Sequence, residues 1–245
     1  MIPLRDANPV RRTPVVTIAI ITACIIAFAY RIGLDFGSDG GAGVEAFFEH
    51  YGFVPAHLSA AFDTGRGLGE QALSVVTSMF LHVDIQHIVG NMIFLWIFGN
   101  NIEDRLGRLG FIVFYLFAGA IAALAQFAID PSSTVPMVGA SGAISGILGA
   151  YVILFPGARV LSLVPFVFFY QLLNVPAWVY LGVWFVLQLI DGLGSVGAAG
   201  SQGGIAFFAH IGGFVVGVVV GLLLRNRGSG RGERVRRSPA GLGVG

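Results

Sequence analysis

Three groups of polar residues interrupt an otherwise apolar chain, and their types suit acyl transfer. The first is Gly139-Ala140-Ser141-Gly142-Ala143-Ile144-Ser145-Gly146. Ser141 stands where an apolar run of helical length begins. A hydroxyl placed there meets free backbone N–H groups and the positive end of the helix dipole, which favour a developing oxyanion. The run is not the nucleophile elbow G-x-S-x-G, because position 143 is Ala. A lone serine in such a helix ordinarily packs, or bonds to the carbonyl four residues back. What sets Ser141 apart is the second group, Ala209-His210-Ile211-Gly212-Gly213, after which Gly217 and Gly221 continue a four-residue rhythm of small residues. Such a stripe lets a second helix approach closely. Gly142, Ser145, Gly146 and Gly149 offer the matching surface, and their contact would bring His210 to Ser141. A serine and a histidine held in reach by rigid backbones form a nucleophile and its base. No carboxylate stands at comparable depth, so a dyad is the economical reading.

The third group is His82-Val83-Asp84-Ile85-Gln86-His87-Ile88-Val89-Gly90-Asn91. His87 and Asn91 are four apart and project from one helix face. As metal ligands they are weak: the H-E-x-x-H pattern is missing, and His82 and His87 are five apart. A single cysteine excludes both a CxxC metal site and a disulfide framework. Neither a metal nor another cofactor is expected. Bonding between helices as packing glue is the competing role for His87 and Asn91. His82 falls at the helix entrance, where an orienting or structural role suits it better than chemistry.

The elements that must position these groups follow from composition. Of 245 residues, 56% are hydrophobic and 11% charged, with a net charge of +1. A soluble domain carries roughly 25% charged residues, so this chain could not coat a water-facing surface. Disorder would need low hydrophobicity and high net charge. Nucleic-acid binding is not expected, since the basic residues, all arginine, cluster mainly toward the tails. About 20 apolar residues cross the hydrocarbon core. The sequence therefore predicts an all-α polytopic membrane protein with six transmembrane helices, near 14–30, 85–100, 110–129, 141–155, 176–190 and 205–224. The second and fourth are short, as suits helices that begin inside the protein.

An even number of spans puts both termini on one side, and the arginines say which. With the termini cytoplasmic, 12 arginines and four acids lie inside, against two arginines and nine acids outside. The expected location is a cell (inner) membrane. Residues 1–13 form a cytoplasmic N-terminal segment, 14–224 the membrane domain, and 225–245 a basic, Gly-rich tail expected to be disordered and to rest on anionic lipid. The first run competes with a signal-peptide reading, because Ala27-Phe28-Ala29 resembles a cleavage site. It is longer than a typical signal core and is kept as a span. An outer loop, 31–80, contains Phe47, Phe48, Tyr51 and Phe53 and is expected to be partly ordered at the membrane interface. No internal repeat supports an inverted-repeat transporter.

Taken together, the three groups resemble the rhomboid intramembrane serine proteases of the six-helix bacterial type. The resemblance rests on His82, His87 and Asn91, on Gly139-Ala140-Ser141-Gly142, and on Ala209-His210 with Gly213 and Gly217, in that order, with Glu103-Asp104-Arg105-Leu106-Gly107 after the second span. It implies that Ser141 is the nucleophile and His210 the base, and that His87, Asn91 and the Ser141 backbone N–H form the oxyanion hole. It also implies a gate at the fifth span, where Trp178, Trp184 and Phe185 are candidates, and a mobile cap at Asp191–Gly204. The implied partners are transmembrane protein substrates within a lipid bilayer. One position departs from the pattern. Many relatives carry an aromatic four residues after the nucleophile, stacked on the base; here it is Ser145, whose hydroxyl is a candidate to orient His210 instead. A catalytically silent relative that binds membrane clients is the alternative reading; such proteins typically lose the serine or the histidine, and both are present here.

Overall fold

The computed structural model describes residues 2–37, 41–166, 169–196 and 207–236. Most of them are helical. α1 (Val15–Gly37) is followed by three short helices, α2 (Ala42–Tyr51), α3 (Pro55–Thr64) and α4 (Leu68–Ser78). α5 (Ile85–Phe94) passes through a π-helical turn at Leu95–Gly99 into α6 (Asn100–Ile129). α7 (Ser141–Leu154), α8 (Ala177–Val196) and α9 (Phe207–Arg236) complete the helices. Three stretches are long and apolar enough to cross a membrane: Val15–Gly37, Ile85–Ile129 and Phe207–Arg225. Ser141–Leu154 and Ala177–Leu187 are shorter apolar helices.

The Ile85–Ile129 stretch changes direction at Gly107, whose φ of 73° and ψ of 166° are not helical. Only glycine adopts such a conformation without strain, so the chain turns there while hydrogen bonding continues on both sides. Just before the break stands Glu103, 4% exposed. Its carboxylate accepts the backbone N–H groups of Val16 and Thr17 at 3.0 and 2.8 Å, and the Thr17 hydroxyl at 2.8 Å. Glu103 therefore caps the N-terminus of α1 from another helix, satisfying donors that lack an intrahelical partner and placing negative charge at the dipole's positive end.

α7 is the central helix. From Gly142 to Tyr151 every residue is buried, and small side chains allow α6 and α9 to close on it. A Cβ on Gly142 or Gly146 would stand 2.7 or 2.6 Å from the methyl of Ala122 or Ala118 on α6. Gly149 faces the Phe214 carbonyl, and Gly213 and Gly217 on α9 face the carbonyls of Gly142 and Gly146, each too close for any side chain. The four-residue stripe seen in the sequence is thus the α7–α9 contact.

The expectation of a purely helical protein needs correction. β2 (Arg159–Phe166) and β3 (Phe169–Pro176) pair antiparallel, and β1 (Ile2–Asp6) adds to β2, giving the order β1-β2-β3. The run between α7 and α8 is rich in Val, Leu and Phe, which suit strands as well as membranes. A polar cluster ties this sheet to the central helix. Tyr151 Oη donates to Asp6 Oδ2 at 2.7 Å, Asn101 Nδ2 donates to the same oxygen at 2.8 Å, and Asn8 Nδ2 donates to Tyr151 Oη at 2.7 Å. Burial raises the Asp6 carboxyl above its ordinary range, against the pull of the Tyr151 and Asn8 bonds.

Two boundaries differ from the sequence reading. α9 continues as helix to Arg236, past the expected end of the membrane domain at 224, since extending an existing helix requires no new nucleus. The cap expected at Asp191–Gly204 begins within α8, and its residues 197–204 lie outside the described residues, as do 237–245 of the tail.

Candidate active site

Ser141 is the first residue of α7, so its side chain stands at the end of the helix where N–H groups are free. His210 lies in the first turn of α9 and is 8% exposed. The contact of α7 with α9 sets these two ends side by side: His210 Nε2 is 2.7 Å from Ser141 Oγ. That is a full hydrogen bond in an apolar setting, with the hydroxyl donating when Nε2 is unprotonated.

His87 reaches the same place from α5. Asp84 caps that helix, accepting the His87 backbone N–H at 2.8 Å, which fixes His87 in the first turn. Its ring lies against Gly139. A Cβ on Gly139 would be 2.7 Å from His87 Nε2, 2.8 Å from Cε1 and 3.6 Å from Ser141 Oγ. With φ at +128°, Gly139 is a position where a side chain would be both strained and obstructed. The glycine before the serine therefore makes room for the histidine. Asn91, one turn below His87, is 8% exposed, and its Nδ2 has no hydrogen-bond partner among the described residues. Buried donors are rarely left unpaired, so the Asn91 amide is a donor with capacity to spare one turn from His87.

His82 does not join the Ser141–His210 pair. It is 1% exposed and packs edge-on against His87, with ring centroids 5.1 Å apart and planes at 69°. Burial, with the neighbouring His87, pushes its pKa down to about 4. Ser145 also takes a different part from the one expected. Its hydroxyl donates to the Ser141 carbonyl at 2.7 Å, the local bond that helical serines make by default, and so is not directed at His210. An indole does pair with the imidazole: Trp184 of α8 stands 6.0 Å from His210, centroid to centroid. Sequence reasoning placed Trp184 near the gate but had no means of pairing it with His210, because the rotation of α8 depends on packing.

The segment between α1 and α5 steadies the approach to Ser141. Phe53 and Met137 exchange backbone bonds at 3.0 and 2.8 Å, and the Ala56 N–H donates to the Ser133 carbonyl at 2.9 Å. The Gly139 N–H donates to the Ser78 carbonyl at 2.9 Å. The segment leading into α7 is thus tied down by α3 and α4 on the same side of the molecule as the serine. Among the described residues no cluster of three or more His, Cys, Asp or Glu could hold a metal ion.

Comparison with known proteins places the chain in a family. Residues 69–227 match the family model described as Rhomboid domain. Rhomboid protein 1, mitochondrial, of Saccharomyces cerevisiae is 33% identical over 153 residues, covering 61% of this chain and 41% of that protein. RHOMBOID-like protein 12, mitochondrial, of Arabidopsis thaliana is 33% identical over 157 residues, covering 56% of this chain and 44% of that protein. Rhomboid protease GluP of Bacillus subtilis is 40% identical over 76 residues, covering 31% of this chain and 14% of that protein. The chain spans less than half the length of each of these relatives. Because the matched domain takes in more than half of its residues, and its apolar helices suit a multi-pass membrane protein, this chain belongs to the rhomboid family.

Proposed function

We propose that the protein is an intramembrane serine endopeptidase that cleaves transmembrane segments near the outer membrane face, using Ser141 as nucleophile and His210 as base. The observation that supports this most is the 2.7 Å contact between Ser141 Oγ and His210 Nε2 at the N-terminus of a buried helix. In this reading His210 Nε2 takes the hydroxyl proton as Oγ attacks the scissile carbonyl carbon. The oxyanion so formed points at the Ser141 backbone N–H, His87 and the Asn91 amide. Collapse breaks the C–N bond, and the leaving amine takes the proton from Nε2. Water then attacks the acyl-enzyme carbonyl and gives a proton to His210 Nε2, and as the C–Oγ bond breaks Oγ takes that proton back, releasing the carboxyl product and restoring the neutral pair.

The topology that accompanies this is six spans: α1, the two pieces of the Ile85–Ile129 stretch on either side of Gly107, α7, α8 and α9, with both termini cytoplasmic in a cell (inner) membrane. The distribution of arginines supports it. A substrate helix hides its backbone in hydrogen bonds, so segments with small or helix-breaking residues, able to unwind at the site, are the favoured clients. The test is cleavage of a model transmembrane substrate in liposomes. Ser141→Ala and His210→Ala are each expected to abolish it, and a fluorophosphonate is expected to label Ser141 only when His210 is present. Cleavage that persists in either variant refutes the dyad.

A further inference from the structure

A base that takes a proton from serine works only while its imidazole points at the hydroxyl, and the ring can turn about two side-chain bonds unless something holds it. Ser145 is committed to the Ser141 carbonyl. The aromatic contact to His210 comes instead from another helix. The Trp184 indole lies 6.0 Å from the imidazole with the planes at 43°, within the range of a genuine aromatic pair. The same indole is 6.4 Å from Phe214, one turn below His210 on α9, so it straddles the two rings. Phe185, the next residue on α8, stacks on Phe214 at 4.5 Å and 27°. Two successive side chains of α8 therefore engage the face of α9 from which His210 projects.

We propose that Trp184 is a positioning residue: it holds the His210 imidazole with Nε2 toward Ser141 Oγ, so that alignment of the base depends on α8 being docked against α9. This rests on the reading of Ser141 and His210 as nucleophile and base. It differs from a role for α8 in admitting substrates, because positioning affects the reactivity of Ser141 toward any electrophile, including a small one that needs no lateral entry.

The experiment compares two reactions of the full-length protein: labelling of Ser141 by a small fluorophosphonate, and cleavage of a transmembrane substrate in liposomes. Trp184→Ala is expected to slow both by roughly 10-fold, with kcat lowered and KM unchanged, the size expected for loss of one aromatic pair. Trp184→Phe, which keeps a ring, is expected to recover most of the rate. Labelling of Trp184→Ala at the wild-type rate overturns the proposal, even if substrate cleavage changes, since only entry would then be affected. Should Trp184→Ala fail to fold, Trp184→Met replaces it: slower labelling than in Trp184→Phe supports positioning, and equal rates overturn it. Absence of labelling in the wild-type protein instead refutes the Ser–His reading itself, so the two failures are distinct.

Discussion

Gly213→Ala tests whether the closeness of two helices is what aligns Ser141 with His210. A methyl at this position would fall on the Gly142 carbonyl, contacting its oxygen, with the carbonyl carbon 3.1 Å and Ser145 Cβ 3.3 Å away. The oxygen belongs to the backbone of α7 and cannot rotate aside, so α7 and α9 must part by about 1 Å to regain ordinary contact. Gly142 adjoins Ser141, and Gly213 is within one turn of His210, so the separation acts almost directly on the pair. The 2.7 Å Ser141–His210 bond then stretches to roughly 3.5 Å, past hydrogen-bonding distance. A misplacement of about 1 Å at reacting groups costs on the order of 10² in rate, or about 2.7 kcal/mol of barrier. The assay is turnover of a transmembrane substrate in liposomes, normalised to folded protein by thermal unfolding and gel filtration. Gly33→Ala, on α1 with nothing within 4 Å, is the control and is expected to retain full activity. Turnover of Gly213→Ala within threefold of wild type would refute the idea that this contact sets the catalytic geometry.

Three further outcomes are expected. Asn91→Ala should lower turnover by about 10²–10³ with little change in unfolding temperature if its amide serves the oxyanion; loss of stability with activity per folded molecule preserved would identify a packing role. Glu103→Ala should destabilise the protein by about 2–4 kcal/mol, because three bonds to the start of α1 are lost, and Glu103→Gln by less; an unfolding midpoint unchanged in Glu103→Ala refutes the capping role. His82 has a folded pKa near 4 against an ordinary 6.5, so the unfolded chain binds its proton first as pH falls. Stability should therefore drop by about 3 kcal/mol between pH 6.5 and 4, and hold steady with respect to this group above 6.5. The measurement is thermal unfolding against pH, and an equal acid loss in His82→Phe would assign that loss to other groups.

The candidate site could be read from the sequence further than the fold could. Ser141, His210 and the small-residue stripe are local patterns read from helical periodicity; the expected approach of His210 to Ser141 is present, while its 2.7 Å distance depends on packing. The bends and partners depend on distant residues. The strands Arg159–Phe166 and Phe169–Pro176 are apolar enough to look like part of a membrane run, and the third strand of their sheet lies near the N-terminus. Glu103 entered the sequence reading only within the stretch Glu103–Gly107 that helps carry the resemblance; its task required knowing that α1 begins beside it. Ser145 shows the reverse error, in which a long-range role was expected and the nearest carbonyl took the hydroxyl.

The pairing of β1 with β2 sets an order on assembly. Asp6 meets Val160 across about 150 residues of chain, a long loop to close. When β1 emerges from synthesis its partner strand does not yet exist, and neither does Tyr151, which donates to Asp6. The amino-terminal strand therefore docks only after the helix that begins with Ser141 has been made. In that sense the strand Ile2–Asp6 acts as a late latch, fastening near the C-terminal end of the helix that begins with Ser141 once that helix has been made.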